Sequence, residues 1–218
     1  MNPTKLLLLS HIIAGFIGLL SGLAVLVLKK GDKCHKLMGQ VFLYAMLFTA
    51  LVGLILAYTT SSIFFFVVGI FTIYLVGTGS RYIYLKLQGA DKASAKPLDW
   101  VLTILMLLSG LFMVYIGVKN FVAGNTGGII LAVFGCIGLS GVWQDLRYYR
   151  GIERSKIFWL RTHIARMVGG FIAATTAFLV NNIQHLPAIP GYIYWLLPTV
   201  ILTPLIIKWQ KQYLSKKG

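Results

Sequence analysis

Seven apolar blocks parted by short polar stretches make up about two thirds of this 218-residue chain. Each is close to the ~20 residues an α-helix needs to cross a hydrocarbon core of ~30 Å. The pattern predicts helices over Leu6 to Leu28, Leu37 to Tyr58, Ile63 to Leu85, Leu98 to Val118, Gly127 to Leu146, Ile164 to Ile183 and Tyr192 to Trp209. The fifth has the shortest uninterrupted apolar part. The longest polar stretches, Gln88 to Pro97 and Gln144 to Lys156, are loop-sized and cannot bury a core of their own. The expected fold is all-α: one integral membrane bundle of seven transmembrane helices covering residues 1–218, with no soluble domain.

The polar positions then set a direction. Basic residues crowd alternate connections: Lys29, Lys30, Lys33 and Lys36 in the first, Lys92 and Lys96 in the third with Arg81 and Lys86 just before. Arg147, Arg150, Arg154, Lys156 and Arg161 fill the fifth, and Lys208, Lys211, Lys216 and Lys217 the tail; the opposite side has Lys5 and Lys119. The excess of cations marks the cytoplasmic side, so the N-terminus is expected outside and the C-terminus inside a cell membrane. Aromatic residues agree: Trp100, Trp143, Trp159 and Trp209 fall at the inner boundary and Tyr58, Tyr115, Tyr192 and Trp195 toward the outer one, as interfacial belts do.

Composition sharpens the picture. Hydrophobic residues make up 58% and charged ones 11%, against roughly half and a quarter in a soluble domain, which is more apolar surface than one small core hides. A net charge of +15, from 20 Lys and Arg against 5 Asp and Glu, would suggest nucleic acid in a soluble protein. Here its placement points instead to the bilayer and to anionic lipids of the inner face as partners. Cys34 and Cys136 read as free thiols, one in a basic connection and one mid-helix. The first block lacks a small-x-small cleavage site before Lys29 and Lys30, so it is expected to be retained as a helix.

Candidate chemistry lies on helix faces. His11, Gly15, Gly18 and Gly22 step by four, three and four along one stripe of the first helix. Such a stripe admits a neighbouring helix closely, with His11 hydrogen-bonding across the contact, or offers a groove to a flat cofactor or substrate. The sixth helix repeats the theme with His163, Met167, Gly170, Ala174, Ala177 and Asn181, and stripes of this kind also suit contact with a second copy of the chain. Arg161 and Arg166 flank His163, where guanidinium groups are expected to snorkel to lipid phosphates. The fourth helix aligns Asp99, Thr103, Met106, Gly110, Met113 and Gly117; Asp99 is expected to cap its helix and has Arg81 or Arg166 as possible partners. Asp145 and Glu153 are expected to be charge partners at the inner surface. Two prolines, Pro198 and Pro204, predict a kink in the seventh helix.

The four histidines divide by depth, His11 and His185 toward the outer side, His35 and His163 toward the inner. Two like pairs at two levels resemble the layout of two-haem transmembrane cytochromes b, in which each iron takes one imidazole from each of two helices. No C-x-x-C-H attachment sequence occurs, so the cofactor expectation is non-covalent haem b. No P-loop, G-x-S-x-G, H-E-x-x-H or paired-cysteine zinc spacing is present.

His11-x-x-x-Gly15, His35-Lys36-Leu37-Met38-Gly39 and His163-Ile164-Ala165-Arg166-Met167, with Asn181-Asn182, Trp195 and Pro198, resemble a bacterial family of multi-pass membrane proteins catalogued as a domain of unknown function. The resemblance implies position rather than activity. It favours His11, His35 and His163 over His185 as functional residues, which narrows the haem expectation to one group shared by His35 and His163. The candidate set is then His11, His35 and His163 for a cofactor, the latter two as iron ligands, with Arg166, Asp99 and Asn181 as further candidates. The expected function is a haem-binding or redox-linked membrane protein. The alternatives are a non-catalytic transporter, lipid-interacting or assembly protein with glycine-lined packing, and an intramembrane enzyme using His163, Arg166 and Asp99.

Overall fold

A computed structural model describes residues 2–85, 95–153 and 155–214; Lys86, Lys92, Arg154, Lys216 and Lys217, counted above for orientation, lie outside them. The described residues form seven long helices: α1 (Pro3–Val27), α2 (Lys33–Thr59), α3 (Ile63–Leu85), α4 (Pro97–Val122), α5 (Gly128–Tyr149), α6 (Phe158–Asn181) and α7 (Gly191–Leu214). All seven are long and apolar enough to cross a membrane. Large apolar side chains such as Ile12, Phe16 and Leu20 on α1 and Leu105, Leu108 and Phe112 on α4 face outward, which only a lipid solvent accommodates on this scale. The chain is a multi-pass membrane protein.

Local chemistry sets the helix starts. Asn2 accepts a hydrogen bond from Thr4 N–H and Pro3 opens α1; Asp32 accepts from His35 N–H at 2.7 Å to open α2, each satisfying a donor the helix leaves free. Pro97 opens α4, and Asp99 Oδ2 accepts from Lys96 N–H at 2.8 Å. Gly124 and Gly151, with φ of 86° and 68°, close α4 and α5 in the left-handed conformation that glycine adopts without penalty.

Several ends differ from expectation. The α6 helix begins at Phe158 rather than Ile164, because Arg161 and His163 sit within its first turns instead of in a connection. Thr162 is buried there and Arg161 exposed, so this polar stretch is the two-sided base of a helix. The α7 helix runs on past Trp209 and carries Pro198 and Pro204 in its interior.

The central helix is α3, which touches α2, α4, α5 and α6; α1 packs on α2, α4 on α5, and α7 on α6. The closest pairing is α4 with α5. A Cβ on Gly117 would lie 2.6 Å from the Ala132 nitrogen, one on Gly135 would lie 2.8 Å from the Gly110 oxygen, and one on Gly128 would strike the Gly117 oxygen. Gly110 faces Gly135 and Gly117 faces Gly128, so the two antiparallel backbones touch in one fixed register. One apolar core forms around Phe42, Met46, Val76, Val168 and Phe171, where α2, α3 and α6 meet α1 and α7.

Candidate functional site

Helix alternation gathers the C-termini of α1, α3, α5 and α7 and the N-termini of α2, α4 and α6 at one end. Contacts across that end bear this out: Lys30 Nζ lies 4.2 Å from the centroid of the Trp209 ring, and Gln210 Nε2 donates to the Arg161 carbonyl. The polar chemistry concentrates here in two groups.

The first is built on Asp145, fully buried on α5. Tyr82 Oη and Arg166 Nη2 each donate to its Oδ1 at 2.6 Å, and Tyr74 Oη donates to Oδ2 at 2.6 Å. The Thr103 hydroxyl lies 3.2 Å from Oδ2 and 2.9 Å from the Asp99 carbonyl, so its single proton is shared between them. A carboxylate offers about four lone-pair sites; three are filled and the fourth is contested. The Arg166 guanidinium sits 4.9 and 5.0 Å from the Tyr74 and Tyr82 ring centroids and also donates to the Gly141 carbonyl. Glycine makes the space: a Cβ on Gly141 would lie 2.8 Å from Tyr74 Oη, and one on Gly79 would lie 3.1 Å from Arg166 Cβ.

Two expectations are corrected here. Arg166 does not snorkel to lipid phosphate, because its partner lies inside the bundle. Asp145 is not a surface charge partner, because α5 carries it into the interface with α3 and α6. Asp99 takes Arg81 rather than Arg166: Arg81 Nε and Nη2 donate to its two oxygens at 2.7 and 2.9 Å, while the same carboxylate caps α4. The intramembrane-enzyme alternative needs His163, Arg166 and Asp99 at one open site. Among the described residues Asp99 is linked to the Asp145 group through the Thr103 hydroxyl, with His163 turned to the Gly79 carbonyl instead.

The second group holds His35 and His163. His163 Nδ1 lies 2.8 Å from the Gly79 oxygen; a carbonyl only accepts, so Nδ1 carries the proton and a neutral ring keeps a lone pair on Nε2. His35, on the first turn of α2, lies within electrostatic range of His163 and interacts with the Val25 carbonyl at the end of α1. Its Nδ1 is buried without a partner, as are Thr49 Oγ1, Ser109 Oγ and Arg166 Nη1. Of these four atoms, only His35 Nδ1 can present a nitrogen lone pair to a ligand. Lys30 Nζ donates to the carbonyls of Val25, Leu26 and Leu28 at 2.7, 2.8 and 3.2 Å, closing α1, and burial holds its pKa below the ordinary lysine value. One turn along from His35, a Cβ on Gly39 would meet nothing within 4 Å.

No protein family, curated protein or solved structure matches the chain. The functional reading therefore rests on these side chains.

The remaining candidates lie apart. His11 Nδ1 donates to the Thr49 carbonyl at 2.9 Å. Thr49 is fourteen residues beyond His35 on α2, roughly 21 Å along the helix at ~1.5 Å per residue, so His11 shares no site with the inner pair. Gly18 and Gly22 on its stripe are filled by Met46 and by Phe171 with Phe42. Asn181 is exposed and donates to the Ala177 carbonyl of its own helix, and His185 is exposed in the 3₁₀ turn Ile183–His185. Among the described residues no group of three or more His, Cys, Asp or Glu side chains is placed to hold a metal ion, and both cysteines are free and exposed.

The Asp145 network escaped the sequence reading, though a signal was present. Tyr74, Thr78, Arg81 and Tyr82 recur at helical spacing in α3, and Gly138, Gly141 and Asp145 do so in α5. Polar residues with that period in two apolar helices mark facing stripes.

Proposed function

We propose that the protein is a multi-pass protein of the cell membrane, with its basic end cytoplasmic and its N-terminus outside, whose working groups are the inner imidazoles His35 and His163. The observation that carries this reading is the buried, unpartnered Nδ1 of His35, set near a second imidazole whose Nε2 is uncommitted. The Asp145 carboxylate, by contrast, has little capacity left for a substrate.

Haem b is the cofactor this pair suits in ligand type, since imidazoles from two helices could hold its iron. An Nδ1 proton held by a carbonyl, as in His163, is also the usual arrangement of an imidazole ligand. The fit in space is restricted: Gly39 leaves room beside His35, but farther along the same interface Phe42 and Phe171 pack with ring centroids 6.1 Å apart. A planar group would be confined to the basic end. If bound, haem would supply one-electron chemistry; His35 and His163 would hold it in place. The test is the absorption spectrum of the full chain purified after expression with haem supplied. A Soret band present in the wild type and absent from both His35→Ala and His163→Ala is expected; a wild type without one overturns the haem assignment.

The second reading is a transporter, lipid-interacting or assembly protein without a cofactor. It is favoured by the filled glycine stripes of α1 and α6, each occupied by a neighbouring helix of the same chain. In that case His11→Ala changes stability and leaves spectra as they were.

A further inference from the structure

A cavity of about 410 Å³ opens at the basic end, between the α5–α6 connection and the last turns of α7. Its size falls within the range of pockets that hold small ligands. Two cations line it from different helices, Arg161 from the first turns of α6 and Lys211 from the end of α7; both are exposed, and among the described residues neither forms an ion pair. Glu153 lines the cavity as well, its Oε1 accepting from Ser155 N–H at 3.0 Å, so the two cations outnumber the one carboxylate. Gln210 Nε2 donates to the Arg161 carbonyl at 3.2 Å and ties α7 to α6 along one wall.

Apolar side chains line it too. Phe158 is buried and stacked on Tyr148, with ring centroids 5.1 Å apart and planes at 21°, and Ile157 lies beside it half-buried. Cations beside a fixed apolar surface, at the ends of membrane-spanning helices, match the junction of a phospholipid: phosphate on the charged side, glycerol and the first methylenes on the apolar one. We propose that this cavity holds the phosphate group of an anionic phospholipid, with Arg161 and Lys211 binding the phosphate and Phe158 carrying the glycerol end. A soluble phosphate ester presents the same charged group without the apolar part. The site is separate from the imidazole pair, and its test does not depend on that reading.

The experiment is thermal unfolding of the full chain in neutral detergent, titrated with phosphatidylglycerol, with phosphatidylcholine as the zwitterionic arm and glycerol 3-phosphate as the soluble arm. Phosphatidylglycerol is expected to raise the unfolding temperature saturably, with the other two far less effective. R161Q/K211Q is expected to weaken the apparent affinity roughly hundredfold, at about tenfold for each hydrogen bond to a charged group. K208Q, an exposed cation of α7 that does not line the cavity, should leave it unchanged. A phosphatidylglycerol response equal in R161Q/K211Q and wild type, or equally weakened by K208Q, overturns the site. An equal response to phosphatidylcholine overturns anion recognition, and one to glycerol 3-phosphate overturns the lipid as its source.

Discussion

Around Asp145, where α3, α4, α5 and α6 meet, two phenols and a guanidinium converge on one carboxylate and a threonine hydroxyl competes for its last lone pair. Around His35, where α2 meets the end of α1 near α6, a buried ring nitrogen faces no partner and a neighbouring imidazole keeps a lone pair free. The first region holds more charge and the second has more unused capacity. Intramembrane charge by itself therefore does not locate a working site. A buried ion pair fixes which helices meet; a basic lone pair left open is what a ligand or a proton can use, which the unpartnered Arg166 Nη1, a donor only, does not offer.

Substitutions can break or sharpen that contrast. The largest effect is expected at Asp145: Asp145→Ala leaves Arg166 as a buried cation without its counter-charge, at a cost of about 3–5 kcal/mol. Chemical unfolding of the purified protein in detergent checks it, and retention of wild-type stability would remove the idea of a structural lock. Next comes the α4–α5 contact. Gly117→Ala places a methyl against backbone atoms of Ala132 and Gly128 that no side-chain movement relieves, for a loss of about 1–3 kcal/mol on the scale of overpacking. The same unfolding assay measures it. By comparison Gly39→Ala, with open space at its Cβ, should leave stability unchanged or slightly raised.

Smaller effects belong to the imidazole side. His163→Ala loses one hydrogen bond to Gly79, about 0.5–1.5 kcal/mol, so its unfolding midpoint should stay close to wild type. A loss as large as that of Asp145→Ala would make His163 part of the lock. Lys30→Met, which removes a cation from the C-terminal end of α1, should cost about 0.3–1 kcal/mol, read as faster amide exchange in the last turn of α1 with the rest of the helix unchanged.

Much of the architecture could be read from the sequence because lipid imposes a simple rule. Every spanning backbone must satisfy its own hydrogen bonds, so apolar blocks of the right length become helices, and the stripe from Asp99 to Gly117 was legible as one face. Partner choice was harder. The short range of charge in sequence made Arg166 look interfacial, whereas the packing of α3 between α5 and α6 brings Tyr74 and Tyr82 to it from more than eighty residues away. A short uninterrupted apolar part made α5 look the weakest span, yet its glycines allow a tight contact with α4. At the imidazole pair, the sequence identified His35 and His163 by depth. Only the structure distinguishes a ring bonded to a carbonyl from one with a bare nitrogen, because that depends on where α1 ends relative to α2.

A pair of double-mutant cycles in unfolding free energy, run on the protein prepared without haem, one across Asp145 and Arg166 and one across His35 and His163, tests the division most directly. The account predicts a coupling in the upper part of the ~0.5–3 kcal/mol range for the ion pair and one near zero for the histidines. Equal couplings, or a larger one between the histidines, would contradict it.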